Sequence, residues 1–170
     1  MRGVWITSRT RHVLGGGRLR KVLLNELQLS VAIVLSREEI VPRFRVICPE
    51  GDWTVFVPLP DDIGERQRRM QLVYGFMAWK SATAFVMSSE LIEPDCVISA
   101  AIDRNDVLVA ARPIARKPLT VGPAEWLPRS AVGEEVVALL PRGRVNLDPE
   151  TEAALVRAFG DGGEFQARRC

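Results

Sequence analysis

The sequence has few of the residues that form metal, redox and triad sites. It contains three cysteines and one histidine in 170 residues. Cys48, Cys96 and Cys170 are far apart, so they indicate neither a disulfide framework nor a CxxC metal or redox motif. A catalytic triad needs a base beside its nucleophile, and His12 lies in a glycine-containing N-terminal segment. We therefore predict no metal, no cofactor and no triad, and a reducing compartment, the cytoplasm, as the location.

Long apolar runs are also lacking. Basic residues precede an apolar run near the N-terminus, as in a signal peptide, but Asn25, Glu26 and Gln28 interrupt that run and no small-residue cleavage site follows. No stretch approaches the roughly 20 uninterrupted apolar residues that a membrane-spanning helix requires. We expect neither secretion nor a membrane partner. The Arg- and Ala-rich, cysteine-poor composition is typical of a bacterial protein.

The overall composition is that of an ordinary globular domain, with 47% hydrophobic and 26% charged residues. The net charge of +2 is unevenly distributed, because six Lys and Arg residues precede the first acidic residue, Glu26. Removing these six from the total of 23 leaves 17 basic against 21 acidic residues, a net charge of −4. Residues 1–21, which include Gly15, Gly16 and Gly17, are predicted to be a basic flexible arm. Residues 22–160 would form one domain, and residues 161–170 a frayed tail.

The first half of the predicted domain contains three runs that favour strands. Leu27, Leu29, Val31, Ile33 and Leu35 alternate with other residues, which predicts a strand over 27–35, with a helix as the alternative. Alternation over 44–48 predicts a second strand. The sequence Pro-Glu-Gly at 49–51 has the chemistry of a short hairpin loop, so 53–57 is predicted to be the returning strand.

A long central helix is predicted over about 62–80. Asp62 can serve as its N-cap, and Glu65 stands three residues further on, as in a capping box. Capping and the helix dipole account for the acidic group formed by Asp61, Asp62 and Glu65, so we do not assign it a metal. The second half of this helix is strongly apolar and should be buried against the sheet.

The remaining elements are three strands, over 83–87, 96–102 and 107–111, and two short helices. Ser130 is predicted to cap a helix through Leu140, and Asp148 to cap another that ends near Gly160. Because the strands are grouped and do not alternate with helices, the order favours an α+β fold with a mainly antiparallel sheet of about six strands. The central helix would separate two groups of three strands.

Three sets of residues are candidates for function. Clustered basic residues in the arm can contact phosphates, which predicts nucleic-acid binding by Arg9, Arg11, Arg18, Arg20 and Lys21. A second basic cluster on the central helix predicts a protein interface at Arg66, Arg68 and Arg69, with solvated helix surface as the alternative. Cys48 with Arg45 nearby in sequence is the candidate for a reactive thiol, against a buried structural cysteine. The large residues Trp53, Trp79 and Trp126 are expected in the core.

No set of catalytic groups converges in the sequence, which argues against an enzyme without excluding one. The leading hypothesis is a non-catalytic binding or adaptor domain with an unidentified protein partner, or one that associates with itself. The alternatives are a nucleic-acid-associated protein that uses the arm, and an enzyme whose site is assembled from residues that are distant in sequence.

Overall fold

The computed structural model describes the backbone of residues 7–170 and the side chains of residues 17–170. The described backbone has an α+β fold, as predicted. Its elements, in chain order, are α1 (Thr7–Leu35), β1 (Arg43–Ile47), β2 (Trp53–Phe56), α2 (Ile63–Trp79), β3 (Ala84–Ile92), β4 (Asp95–Asp103), β5 (Val107–Arg116), β6 (Leu119–Val121), β7 (Glu125–Leu127), α3 (Glu134–Val137), α4 (Pro149–Phe159) and β8 (Gln166–Arg169).

These strands form one antiparallel sheet with the order β6-β5-β4-β3-β1-β2-β8, and β7 pairs with β5 beside β6. The central strands β3, β4 and β5 are the longest and form two consecutive hairpins. Strand β1 pairs with β3, although α2 separates them in sequence, and β2 lies outside β1. The mainly antiparallel sheet is therefore confirmed.

The predicted strand over 27–35 is wrong, because this segment is the last part of helix α1. The apolar residues that face the sheet recur every four positions and begin upstream of the predicted strand, at Leu19, Leu23, Leu27 and Val31. Leu29 and Leu35, which the alternating pattern would have placed on the buried side, are half exposed. The local alternation arose because almost every position in this stretch is apolar, which hides a helical period.

Both ends of the predicted domain also differ from expectation. The boundary between arm and domain at 21/22 falls inside α1, where Leu19 is only 4% exposed. Residues 17–21 are therefore part of a packed helix, whereas residues 1–6 lie outside the described part of the chain. The predicted frayed tail over 161–170 contains β8, which pairs with β2 at the edge of the sheet. This pairing is non-local, and the polar sequence of β8 gives no sign of it.

The sheet is covered on both faces. Helix α1 packs on β3, β4 and β5 over one apolar cluster that includes Val86, Val97 and Ala101. Helices α2 and α4 pack on the opposite face over a second cluster that includes Phe44 and Phe85. Successive strand residues point to opposite faces, so β1 and β3 contribute to both clusters. The chain therefore has two cores with the sheet between them.

The long central helix is confirmed as α2. Its N-cap is Asp62, whose side chain accepts a hydrogen bond of 2.7 Å from the Glu65 backbone N–H, as predicted. The carboxylate of Glu65 binds arginines and does not return to the cap, so the capping box is only half formed. The hairpin at 49–51 is also present, and Gly51 has a φ of +119°, which glycine tolerates best.

One of the two predicted C-terminal helices is shorter than the sequence indicates. The helix predicted from Ser130 through Leu140 is replaced by a 3-10 turn over Arg129–Ala131 and the four-residue α3, with Gly133 between them. Helix α4 is as predicted, with Asp148 as N-cap, an acidic first turn and Gly160 at its end. The three-residue strands β6 and β7 were not predicted, because strands of this length have little pattern of their own.

Candidate functional site

An open groove lies on the face of the sheet that α2 covers. Its volume is about 1040 Å³, and it lies between α2 and the segment around α3. The β3 residues Met87, Ser89 and Leu91 form its floor because they share the face of the strand that points to α2. The walls are formed by Ile63, Met70 and Tyr74 of α2 and by Val136 and Leu139 on the other side.

A smaller cavity of about 170 Å³ continues this groove across the sheet. It shares Met87, Ser89, Leu91 and Val136 with the larger one and extends to Ile98 and Ala100 of β4. The two cavities thus form one continuous depression over β3 and β4, which we refer to as the apolar groove. At this groove, between α2 and α3, no helix covers the described part of the sheet.

Three exposed apolar side chains line this groove. Ile63 is 72% exposed, and Tyr74 and Leu91 are each more than a third exposed while lining it. Val41, which precedes the lining residue Pro42, is exposed as well. Single exposed apolar residues are common on protein surfaces, but a contiguous group with a polar rim marks an interaction surface.

The rim of the groove carries polar residues of both signs. Arg66, Gln67 and Gln71 lie along α2, and Glu90 and Glu135 lie on the other side. Glu90 is bonded to Arg116, and the Nε of Arg66 donates to the Pro60 carbonyl at 3.0 Å. Of the described residues that line the groove, none is a cysteine, histidine or lysine. The groove offers apolar contact area and hydrogen-bonding groups.

The second predicted basic cluster lies at the N-terminal half of α2, and its arginines are bonded within the chain. Arg68 donates to Glu65 at 2.7 Å and to Glu164 at 3.2 Å. Arg69 donates to Glu65 and to the Pro58 carbonyl, both at 2.7 Å. The hydrogen bonds from Arg68 and Arg69 lower the pKa of Glu65 to about 2. Glu65 and Arg69 form an i,i+4 ion pair on α2. Of the three arginines, only Arg66 lines the groove.

The predicted arm residues with described side chains, Arg18, Arg20 and Lys21, lie on helix α1. The side chains of Arg9 and Arg11 lie outside the described part of the chain, whereas Arg18 and Lys21 are exposed one turn apart. Arg20 instead stacks on the Trp126 ring, with its guanidinium carbon 4.5 Å from the ring centroid. Trp126, expected in the core, is 44% exposed and lies on β7. Arg20 therefore contributes to the packing of α1 against the sheet edge.

The two cysteines on strands or strand ends are buried, as expected. Burial, with the nearby Asp52 carboxylate, raises the pKa of Cys48 to about 11. Burial likewise raises the pKa of Cys96. Arg45 and Cys48 do not form a site, because Cys48 packs in the core on the α2 side and alternation along β1 turns Arg45 to the other side. Arg45 pairs with Asp52 at 3.2 Å, so it does not serve as an activating cation for Cys48.

One cation–π cluster was not predicted from the sequence. The Nζ of Lys80 lies 3.5 Å from the centroid of the Trp79 ring and 4.8 Å from that of Trp53. Burial is the main cause of the lowered pKa of Lys80. Because β2 and the end of α2 meet only in the folded chain, no sequence spacing indicates this cation–π group. The cluster fixes the end of α2 over the core.

Comparison of the chain with models of protein families, with curated proteins and with solved structures found no match. Within the described residues, no three metal-ligating side chains are grouped together. The same part of the chain contains no helix that is long and apolar enough to cross a membrane. The function must therefore be argued from the apolar groove and the surfaces around it.

Proposed function

We propose that this chain is a non-catalytic protein-binding domain that holds an apolar segment of a partner protein in the apolar groove. The groove carries the proposal, since it exposes apolar side chains from α2 and β3 along one continuous depression. An amphipathic helix is the expected form of the bound segment. Helix α2 and the α3 region border the groove on opposite sides, and a third helix would fill the layer between them.

The chemistry of the lining supports binding over catalysis. Met70 and Met87 are flexible, polarizable side chains that adapt to a partner, and Tyr74 combines a large apolar ring with a polar end. The glutamines and charges of the rim can hydrogen-bond the polar side of the bound helix. Its apolar side would cover Ile63 and Leu91, which otherwise remain in water.

Site-specific photo-crosslinking in the native organism tests this proposal. A photoreactive phenylalanine analogue at Tyr74 should form one prominent adduct, and the crosslinked peptide of the partner should be an amphipathic segment. The same analogue at Val156, an exposed apolar residue of α4 that does not line the groove, is the control and should not give this adduct.

A charged substitution in the groove gives the second arm of the test. Leu91→Glu should remove the Tyr74 adduct and weaken binding of the identified peptide by at least about tenfold, because binding would bury a carboxylate in the groove. Val156→Glu should leave the peptide affinity unchanged. An adduct that persists in Leu91→Glu, or that forms equally from Val156, would contradict the proposal. A crosslink between two copies of this chain would identify self-association as the form the interaction takes.

Nucleic-acid binding by α1 is a second candidate, favoured by the exposure of Arg18 and Lys21 one turn apart on the same side of the helix. The pair Arg18→Gln and Lys21→Gln should then reduce the affinity for duplex DNA and its dependence on salt concentration. Arg157→Gln, an exposed arginine on α4, is the matched control. Salt-independent affinities that are equal in all variants would rule out this surface.

A further inference from the structure

A second cavity lies at the far end of α2 and is separate from the apolar groove. Its volume is about 670 Å³, within the usual range for small-molecule sites. The C-terminal end of α2 lines it through Trp79, and the turn between β4 and β5 contributes Arg104. The loop before α4 contributes Arg144 and Asn146, and the first turn of α4 contributes Glu152. No residue of this cavity also lines the groove.

Two arginines at this cavity are not used within the fold. The side chains of Arg104 and Arg144 have no hydrogen bond or ion pair to another residue among residues 17–170. Other arginines of this chain, such as Arg43, Arg68 and Arg116, are bonded to carboxylates. The planar guanidinium group binds phosphate oxygens through two parallel hydrogen bonds. Arg104 and Arg144 therefore provide two unused groups of this kind at one cavity.

The α2 end of the same cavity is apolar and presents a planar aromatic ring. The Trp79 ring is fixed by Phe76, whose ring centroid lies 6.1 Å away at 85°, and by Lys80 above it. Met77, Ala82 and Leu147 add apolar wall area. A rigid aromatic side chain in an apolar wall is the usual partner for a nucleobase, because stacking tolerates any base.

Polar groups between these two ends complete the site. The Asn146 amide can both donate to and accept from the edge of a base. The Glu152 carboxylate can accept hydrogen bonds from sugar hydroxyls or from an exocyclic amine. Among the described residues that line this cavity, Glu152 is the one acidic side chain, against two arginines, so the local charge favours an anionic ligand.

We propose that this cavity binds a nucleotide unit, with its phosphates at Arg104 and Arg144 and its base on the Trp79 wall. The unit can be a free nucleotide or part of a single strand, since both present the same base and phosphate. This site is independent of the partner segment in the groove, and the failure of either proposal leaves the other intact.

The test is titration of the full chain by calorimetry with ADP, adenosine, inorganic pyrophosphate and a short oligothymidylate. ADP should bind with a sub-millimolar dissociation constant. Adenosine and pyrophosphate should each bind at least about tenfold more weakly, because each engages only one end of the cavity. Tighter binding of the oligonucleotide, with the same dependence on the two arginines, would identify a strand as the source of the nucleotide unit.

Substitutions locate the site. Arg104→Gln and Arg144→Gln should each weaken ADP binding by about tenfold, the effect of losing one charge-assisted contact. Both residues are exposed, so folding should be unaffected, and a melting temperature equal to that of the wild type checks this. Arg157→Gln, away from the cavity, should bind ADP normally. ADP should also shift the indole N–H resonance of Trp79, assigned through Trp79→Phe.

Three results would overturn the proposal. The first is the absence of ADP binding at millimolar concentration. The second is ADP binding that survives the double substitution of Arg104 and Arg144, which would place the ligand elsewhere. The third is binding of pyrophosphate or adenosine as tight as that of ADP. Tight pyrophosphate binding would indicate an anion site, and tight adenosine binding would indicate an apolar site; neither would be a nucleotide site.

Discussion

At the scale of single residues, two non-glycine residues just after helices adopt the positive φ that glycine favours. A residue at positive φ stands two positions after the last residue of each helix. It is Arg37 at 60° after α1 and Ser81 at 53° after α2. In each case the next residue donates its N–H to the carbonyl five positions back, at 3.2 Å and 2.9 Å. This is the hydrogen bonding of a Schellman motif, in which glycine is the usual residue at the position with positive φ. Because Arg37 and not glycine occupies this position, the end of α1 has no glycine signal in the sequence.

Glycine at either position should therefore stabilise the fold. Arg37→Gly and Ser81→Gly remove the steric cost of positive φ, which exceeds the entropy that glycine adds to the unfolded chain, so each should raise the free energy of unfolding by up to about 1 kcal/mol. Urea denaturation followed by circular dichroism measures the change. Ala78→Gly, inside α2, is the control and should lower the free energy of unfolding by about 1 kcal/mol. A decrease for all three variants would show that the end conformation carries no strain.

At the scale of elements, a buried ion pair fixes α1 to the sheet. Arg43 of β1 is 3% exposed and its Nε donates to the Glu26 carboxylate of α1 at 2.9 Å. Its Nη2 donates to the Glu26 carbonyl and to the Ser30 hydroxyl, each at 3.1 Å. In the sequence, Glu26 seemed only to interrupt an apolar run. Its role depends on a partner 17 residues away.

Removing one member of this pair should cost more than removing both. Glu26→Ala leaves the Arg43 charge buried without a counter-charge and should lower the free energy of unfolding by about 3–5 kcal/mol. The double variant Glu26→Leu with Arg43→Met should recover most of this loss, since apolar residues can replace a buried pair. The two variants are compared by urea denaturation. A double variant that is as unstable as Glu26→Ala would mean that the geometry of the pair positions α1.

At the scale of the whole molecule, stability depends on ion pairs that join distant segments. Glu65 and Glu164 share Arg68, which connects α2 to the segment before β8. Asp95 binds Arg116 across β4 and β5, and this contact lowers the pKa of Asp95. All three carboxylates are at least partly exposed, so each contributes little singly. Together these ion pairs determine how the free energy of unfolding changes at acidic pH.

The free energy of unfolding should fall as the pH is lowered from about 4.5 towards 2. The pKa of Glu65 is about 2 when folded and 4.5 when free, so its contribution is present above pH 4.5 and is lost as the pH falls through 2. Glu65→Gln should flatten this part of the curve, whereas Glu125→Gln, an exposed residue of β7, should not. Urea denaturation between pH 2 and 6 measures both. An unchanged slope in Glu65→Gln would contradict the assignment.

The sequence by itself determined the features that depend on neighbouring residues. These are the caps at Asp62 and Asp148, the turn at Gly51, the extent of α2 and the grouping of strands that gives the α+β class, because capping, turn chemistry and strand alternation act over a few positions. Tertiary structure alone decided that 27–35 is helical, that β8 completes the sheet, and that Lys80 meets Trp53 and Trp79. It also created the apolar groove and the cavity at Arg104 and Arg144, because the spaces between elements depend on how distant segments pack.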